Sequence, residues 1–317
     1  MSNVVRPDSL DGALAALAAG ARPRAGGLEP TGAAPVVDLT GIAGLHGTAR
    51  DGDGATRVGA LTTVAALAGL DGYPALALTA GALATPQVRG TATVGGNLLQ
   101  RGRCAYLDHP AFPDAHAPGR ECPSREGDHL HGVVFDSGGC TSPHPSSLAV
   151  ALLAYDAAVE AVGPGGTRTF PLADLYGPAD PGRDHLLSPD EVLTAVLLPA
   201  PVPGERAAHR RAAGRARAEW PLVEAVVRLL PGPDGTVERA AVAVGAVARV
   251  PLRLPEVEEA LAGAATGAAP GPRVAAALDA VAARTTPLPG TRYKAALLRA
   301  ALQDTVERAL RERTNGR

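Results

Sequence analysis

The segment Thr85-Pro-Gln-Val-Arg-Gly-Thr-Ala-Thr-Val-Gly-Gly-Asn-Leu-Leu-Gln100 carries the most pointed chemistry in the chain. Its Gly95-Gly96 pair follows a short β-branched run, and adjacent glycines let backbone N–H groups approach an anion such as a pyrophosphate. Taken alone, such a pair is accounted for equally by a tight turn. Residues 101–145 hold the other reactive groups: all three cysteines and five of the eight histidines, among six prolines and six glycines. A loop this long inside a compact domain needs a function or a bound group to organise it. Asp136-Ser-Gly-Gly139 has the residue types of a serine-protease nucleophile segment, but no double β-barrel pattern surrounds it, and it reads as a turn. His46, His185 and His209 stand alone and read as surface or internally satisfied side chains. The only lysine is Lys294, so no Gly-Lys-Ser/Thr phosphate loop exists.

Short strands and helices alternate around these groups. Leu10, Leu14 and Leu17 recur at helical spacing within residues 9–19, with Asp8 or Ser9 as N-cap and Gly20 as stop. Strand-like pieces follow at 22–25, 36–39 and 56–59, and Thr62 is expected to cap a helix running to residue 70. After the long loop, Ser146 caps an apolar helix reaching residue 156, and 158–162 pairs with 167–170 as a hairpin around Gly163-Pro-Gly-Gly166. Residues 192–198 form an apolar strand, and the Pro/Gly-rich 199–204 marks the best domain boundary. Beyond it, 223–230 and 237–247 form a second hairpin, and helices follow near 256–262, 274–283 and 293–311. This order predicts α/β or α+β organisation.

The 317 residues allow two or three compact units, and 46% apolar with 20% charged residues exclude wholesale disorder. A net charge of −2 and 3% aromatic residues argue against nucleic-acid binding. The longest apolar stretch, 148–162, is interrupted by Asp156 and Glu160, too early for a membrane span. Residues 1–7 lack the pattern of a signal peptide, and an odd number of cysteines fits a reducing interior, so a cytoplasmic location is expected.

Taken as a whole string, residues 85–100 resemble the flavin-binding medium subunit of the molybdenum hydroxylases, the xanthine dehydrogenase and carbon monoxide dehydrogenase flavoprotein family. Further landmarks stay in order: Arg22-Pro-Arg-Ala-Gly-Gly27, Val37-Asp-Leu-Thr-Gly-Ile42, Val58-Gly-Ala-Leu-Thr-Thr63, His144-Pro-Ser146, the apolar 153–157, Glu191-Val-Leu-Thr-Ala-Val-Leu-Leu-Pro199 and Tyr293-Lys294. The resemblance implies an α+β fold with a two-subdomain FAD-binding region over 1–204. Its subdomains cover about 1–50 and 51–204, with a Cys-rich insertion at about 101–145. A C-terminal antiparallel-sheet and helix domain over 205–317 completes the expected fold. It further implies FAD binding by Gly26 and Gly27 in a first turn, and by Thr93, Gly95, Gly96 and Asn97 in a second. Ser147 would lie near the polyol chain, Leu193 would line the flavin, and Arg211 stands where relatives carry a lysine near the ring. The implied partners are a molybdenum-binding large subunit and a two-cluster iron–sulfur small subunit.

The chain departs from the family pattern in three places. After Gly27 it runs Leu28-Glu-Pro-Thr-Gly-Ala-Ala-Pro35, shorter than usual, with Glu29 and Pro30 unfavourable beside a pyrophosphate. Pro-Ser-Asp reads Pro-Ser-Ser147, and Arg-Asn reads Arg89-Gly90. These losses keep open a repurposed, flavin-free relative whose cleft serves as a small-molecule enzyme or scaffold. On the flavin reading, Gly95→Val should cost affinity and spare the fold, and Ser147→Asp should tighten FAD. Some family members carry a four-cysteine iron–sulfur insertion, and Cys104, Cys122 and Cys140 resemble its first, second and last ligands. The third is missing. A three-iron cluster, an iron–sulfur cluster completed by Asp128, His129 or His131, a Cys3His zinc site, or unligated thiols all remain open.

Overall fold

The computed structural model describes residues 4–28, 34–107, 109–113, 115, 117, 119–177 and 183–311; Glu29 and Pro30 lie outside them. In the first unit, strands β1 (Val4–Val5), β2 (Arg22–Arg24) and β3 (Val36–Asp38) form a parallel sheet with β3 central, beside helix α1 (Leu10–Ala18). Ser9 is the N-cap of α1, its hydroxyl accepting from the Gly12 N–H at 3.4 Å, and Gly20 at φ +86° ends the helix. Ala13, Leu17, Val37 and Leu45 make the core, which also takes in Leu61 and Val192 from the next unit. Asp38 closes this unit electrostatically. Burial would raise its pKa, but hydrogen bonds from Thr40 and Arg24 hold it at about 2. The Arg24–Asp38 contact of 2.7 Å fixes the chain just before Gly26.

The second unit contains β4 (Thr48–Arg50), β5 (Thr56–Gly59), α2 (Val64–Leu67), α3 (Pro74–Ala82), α4 (Pro86–Thr91) and α5 (Val94–Leu98). After the long loop come α6 (Ser147–Ala154), β6 (Ala158–Gly163), β7 (Gly166–Pro171) and β8 (Val192–Leu198). The antiparallel sheet runs β4-β5-β8-β6-β7, so its last strand in sequence lies at its centre. All eight residues of α6 are buried, consistent with a helix apolar on every face. The helix expected from Thr62 to residue 70 is shorter and starts one residue later. Thr63 caps α2 by accepting from the Ala66 N–H at 3.2 Å, whereas the Thr62 hydroxyl donates to the Gly47 carbonyl at 2.8 Å.

The third unit adds β9 (Arg206–Ala213), β10 (Pro221–Pro231), β11 (Val237–Gly245) and β12 (Leu252–Arg253), in the antiparallel order β12-β11-β10-β9. Helices α7 (Pro255–Leu261), α8 (Pro272–Ala283) and α9 (Arg292–Arg311) follow. Period-two alternation splits β10 between two cores. Val223, Ala225, Val227 and Leu229 face the helices, while Val226 joins the core built around α6. On the α6 side β10 also carries Glu224 and Arg228, both buried. Strand β9, Arg-Ala-Ala-His-Arg-Arg-Ala-Ala, is absent from the sequence-based expectation because its three arginines mask any strand pattern.

Lys294 locks this unit to the insertion. Fully buried in α9, its Nζ donates to the carbonyls of Ala246 at 2.7 Å, Gly132 at 2.8 Å and His131 at 3.3 Å. Burial pulls its pKa down to about 7. The insertion is therefore docked on the C-terminal unit, with Val134 inside that unit's core.

Candidate functional site

The first glycine turn is pressed against the backbone that leads into the second. A Cβ on Gly26 would collide with the Thr91 carbonyl oxygen, and Gly27 is left-handed at φ +72°. Among the described residues, the N–H groups of Gly26, Gly27 and Leu28 meet no acceptor. Consecutive unpaired N–H groups around a left-handed residue suit an anion.

The second turn has a different character. Thr93 is the N-cap of α5 and accepts from the Gly96 N–H at 3.1 Å. The N–H groups of Val94, Gly95 and Asn97 donate to Thr62, Ala60 and Thr93 carbonyls at 2.9, 2.7 and 2.9 Å. The donors expected to reach a pyrophosphate are thus already engaged, and the open ones lie in the first turn. Neither Gly95 nor Gly96 has a positive φ. Gly95 serves close packing, since a Cβ there would sit 3.0 Å from the Ala60 Cβ and 3.2 Å from its carbonyl oxygen. Gly95→Val would accordingly disturb the fold, contrary to the expectation that it would be spared. Asn97 is a buried tie: its Oδ1 accepts from the Ser146 hydroxyl at 2.7 Å and the Leu148 N–H at 3.3 Å.

Ser147, the first residue of α6, brings the site to the C-terminal sheet. Its side chain neighbours the carboxylate of Glu224 and helps to lower that group's pKa, and Glu224 Oε1 lies 2.8 Å from His209 Nε2. His209 is therefore an internally satisfied histidine. Burial would raise the Glu224 pKa, but His209, Arg211 and Ser147 together lower it and keep the group ionised. Arg211 stands directly opposite Glu224 in the β9–β10 register. Its Nη1 donates to Ala82 O at 3.3 Å and its Nη2 to Glu219 O, while its buried Nε has no partner among the described residues. Burial lowers the Arg211 pKa and the Glu224 charge opposes that shift. Beside it Trp220 is 48% exposed, with the Arg103 guanidinium 4.5 Å over its ring. Leu193 is buried in the core around α6, in the same cluster as Leu98 and Leu148.

Ser147 and Arg211 thus meet at a buried carboxylate that sequence reasoning missed, while Asn97 is tied to Ser146 and Leu148 on either side of Ser147. The available signal was a lone carboxylate on one face of the apolar strand Pro-Leu-Val-Glu-Ala-Val-Val.

The cysteines divide two and one. Cys122 and Cys140 are buried neighbours: a hydrogen bond between the thiols pulls the Cys122 pKa down, and that bond together with burial pushes Cys140 up. Cys104 is half-buried, and burial raises its thiol. Among the described residues no three Cys, His, Asp or Glu side chains converge as metal ligands. His129 is unavailable as a fourth ligand, because Nδ1 faces the Ser124 and Gly127 carbonyls at 3.0 Å and Nε2 accepts from the Gly290 N–H at 3.0 Å. Asp128 accepts from the Leu130 N–H at 3.0 Å. This donor set does not fit an iron–sulfur cluster or zinc. The Asp136–Gly139 segment is a turn, with Asp136 paired to Arg125 at 2.7 and 2.9 Å and accepting from the Gly138 N–H.

Comparison with known proteins matches residues 1–201 to the FAD binding domain in molybdopterin dehydrogenase and residues 208–312 to the CO dehydrogenase flavoprotein C-terminal domain. The aldehyde oxidoreductase FAD-binding subunit PaoB of Escherichia coli (strain K12) is 36% identical over 230 residues, 69% of this chain and 70% of that protein. Among solved structures, reconstituted CO dehydrogenase from Oligotropha carboxidovorans superposes with a TM-score of 0.73 at 25% identity, covering 98% of this chain and 97% of that one. Quinoline 2-oxidoreductase from Pseudomonas putida 86 shares the fold, with a TM-score of 0.70 at 20% identity over 98% and 96% of the two chains.

Proposed function

The chain belongs to the family of FAD-binding subunits of molybdopterin dehydrogenases, and from that membership we propose that it holds FAD as the electron-transfer component of a molybdenum hydroxylase-like assembly. The observation that carries the reading is the first glycine turn, whose three unpaired N–H groups sit where Gly26 closes on Thr91.

The residues present fit an extended dinucleotide. Gly26, Gly27 and Leu28 would offer backbone donors to the pyrophosphate, and Thr93, Gly95, Gly96 and Asn97 form the packed turn that follows the Thr91 segment on which Gly26 closes. By family resemblance Ser147 would serve the polyol chain, and Arg211, whose buried Nε has no partner among the described residues, would face the ring. Bound FAD supplies the redox chemistry, and the protein binds, orients and shields it. No step runs through a metal in this chain. Its partners are a molybdenum-binding large subunit and a two-cluster iron–sulfur small subunit. The aldehyde oxidoreductase relative named above is likewise called a subunit. The three free thiols fit a cytoplasmic location, and no helix among the described residues is long and apolar enough to cross a membrane. The flavin-free alternative has no observation of its own behind it.

The test is a visible spectrum with metal analysis on full-length protein prepared without oxygen. Flavin absorption at one FAD per chain is expected. Protein that stays colourless after reconstitution with FAD would overturn the assignment, and stoichiometric iron or zinc would overturn the metal-free reading of the cysteines.

A further inference from the structure

We infer that Glu224 is the carboxylate of this flavin site, supplied from β10 in place of the one missing at position 147, and that it sets the charge Arg211 presents to the flavin ring. The inference rests on the flavin-binding reading.

Family resemblance places position 147 at the polyol chain and position 211 at the ring, two points that need have nothing in common. In the structure both act on the same side chain. Arg211 stands directly opposite Glu224 across the β9–β10 ladder, and the Ser147 side chain neighbours the same carboxylate and lowers its pKa. The Glu224 side chain is only 2% exposed. A carboxylate so deep persists only with partners, and His209 at 2.8 Å supplies one from the same strand as Arg211. The strand on the other side makes way for it. Gly245 lies opposite Glu224 in β11, and a Cβ at Gly245 would strike Val150 and come within 3.6 Å of Glu224 Oε2.

Arg211 is correspondingly constrained. Its Nη groups donate to two backbone carbonyls on different segments, which fixes the guanidinium plane and leaves the Nε–H for a ligand. With Glu224 ionised beside it, much of its positive field is cancelled. Glu224 is thus a positioning residue that acts on the flavin through Arg211 and Ser147.

The sign of the effect follows. A reduced flavin carries more negative charge than an oxidised one, so an unmasked cation favours reduction. Glu224→Gln keeps the shape and removes the charge; the midpoint potential of the bound FAD should rise. Arg211→Gln leaves the carboxylate uncompensated, and the potential should fall. In the double variant the two shifts should largely cancel. Ser147→Asp would set a second carboxylate against Glu224, and should weaken FAD binding roughly tenfold instead of tightening it, the scale of one lost charge-assisted hydrogen bond.

The experiment is spectroelectrochemical titration of the full chain carrying FAD, in wild type and these variants, with an FAD binding isotherm for each. Opposite shifts for Glu224→Gln and Arg211→Gln support the inference. No shift in Glu224→Gln, shifts of the same sign, or tighter binding by Ser147→Asp would overturn it. If Glu224→Gln fails to fold, the fall in Arg211→Gln and the weakening in Ser147→Asp decide, and absence of either overturns it. A wild type that binds no FAD defeats the flavin reading instead, so the two failures are distinguishable.

Discussion

Replacing Gly26 with valine should reduce FAD affinity by at least about a hundredfold, a free-energy change of roughly 3 kcal/mol. The reason is geometric. The first Cβ alone would overlap the Thr91 carbonyl, which is backbone and cannot swing aside. The turn must therefore lift away from the Thr91–Ala92 segment, carrying the free N–H groups of Gly26, Gly27 and Leu28 with it. Gly27→Ala is the control. A Cβ there meets nothing within 4 Å, and the penalty is confined to the left-handed backbone at φ +72°, about 1–2 kcal/mol. An FAD binding isotherm on each variant, with near-ultraviolet circular dichroism to check folding, separates the two. Equal losses in both would mean that close approach to Thr91 is not what positions the turn.

Lys294→Met should be the most destabilising single change outside the cofactor site. Methionine fills similar volume but leaves the carbonyls of Ala246 and Gly132 without their donor, costing about 2–5 kcal/mol for two buried acceptors. Because those carbonyls belong to β11's exit and to the insertion, the loss should also loosen residues 129–141 from the C-terminal unit. The pH dependence gives a second readout. Lys294 titrates near 7 in the folded chain against an ordinary 10.5, so between those values the unfolded state holds a proton that the folded state has released. Stability from this group therefore rises as pH rises through that window, and is lost as pH falls toward 7. Urea unfolding of wild type should show that slope and Lys294→Met should lack it. Parallel pH profiles would contradict the assignment.

Much of the scaffold is legible in the sequence, for physical reasons that differ by element. Helix α1 is readable because Ser9, the leucine spacing and Gly20 agree with one another. The β6–β7 and β10–β11 hairpins are readable because glycine-rich turns interrupt apolar runs. Strand β9 is hidden because its charged residues are satisfied in three dimensions: Arg206 donates to the Leu310 carbonyl, 104 residues away, and His209 meets Glu224. No local pattern encodes such pairings.

The site shows the same division. The glycine strings announce themselves, yet which turn keeps free donors depends on Ala60 and Thr62, which reach α5 from another segment. Position 147 looks like a deletion of chemistry until Glu224 is seen beside it. The cysteines teach the converse, since three thiols in family-like order do not converge with a further ligand among the described residues.

The central claim, that FAD lies between the first glycine turn and the Arg211 wall, can be read from one side chain. Trp220 is the only tryptophan in the chain, half exposed, and adjacent to Glu219, whose carbonyl holds Arg211. Titrating FAD into flavin-free, full-length protein while recording tryptophan emission therefore reports on that wall alone. The account predicts strong quenching that saturates at one FAD per chain and is lost in Gly26→Val. FAD that binds while Trp220 emission stays unchanged, or emission that never responds because no FAD binds, would contradict it.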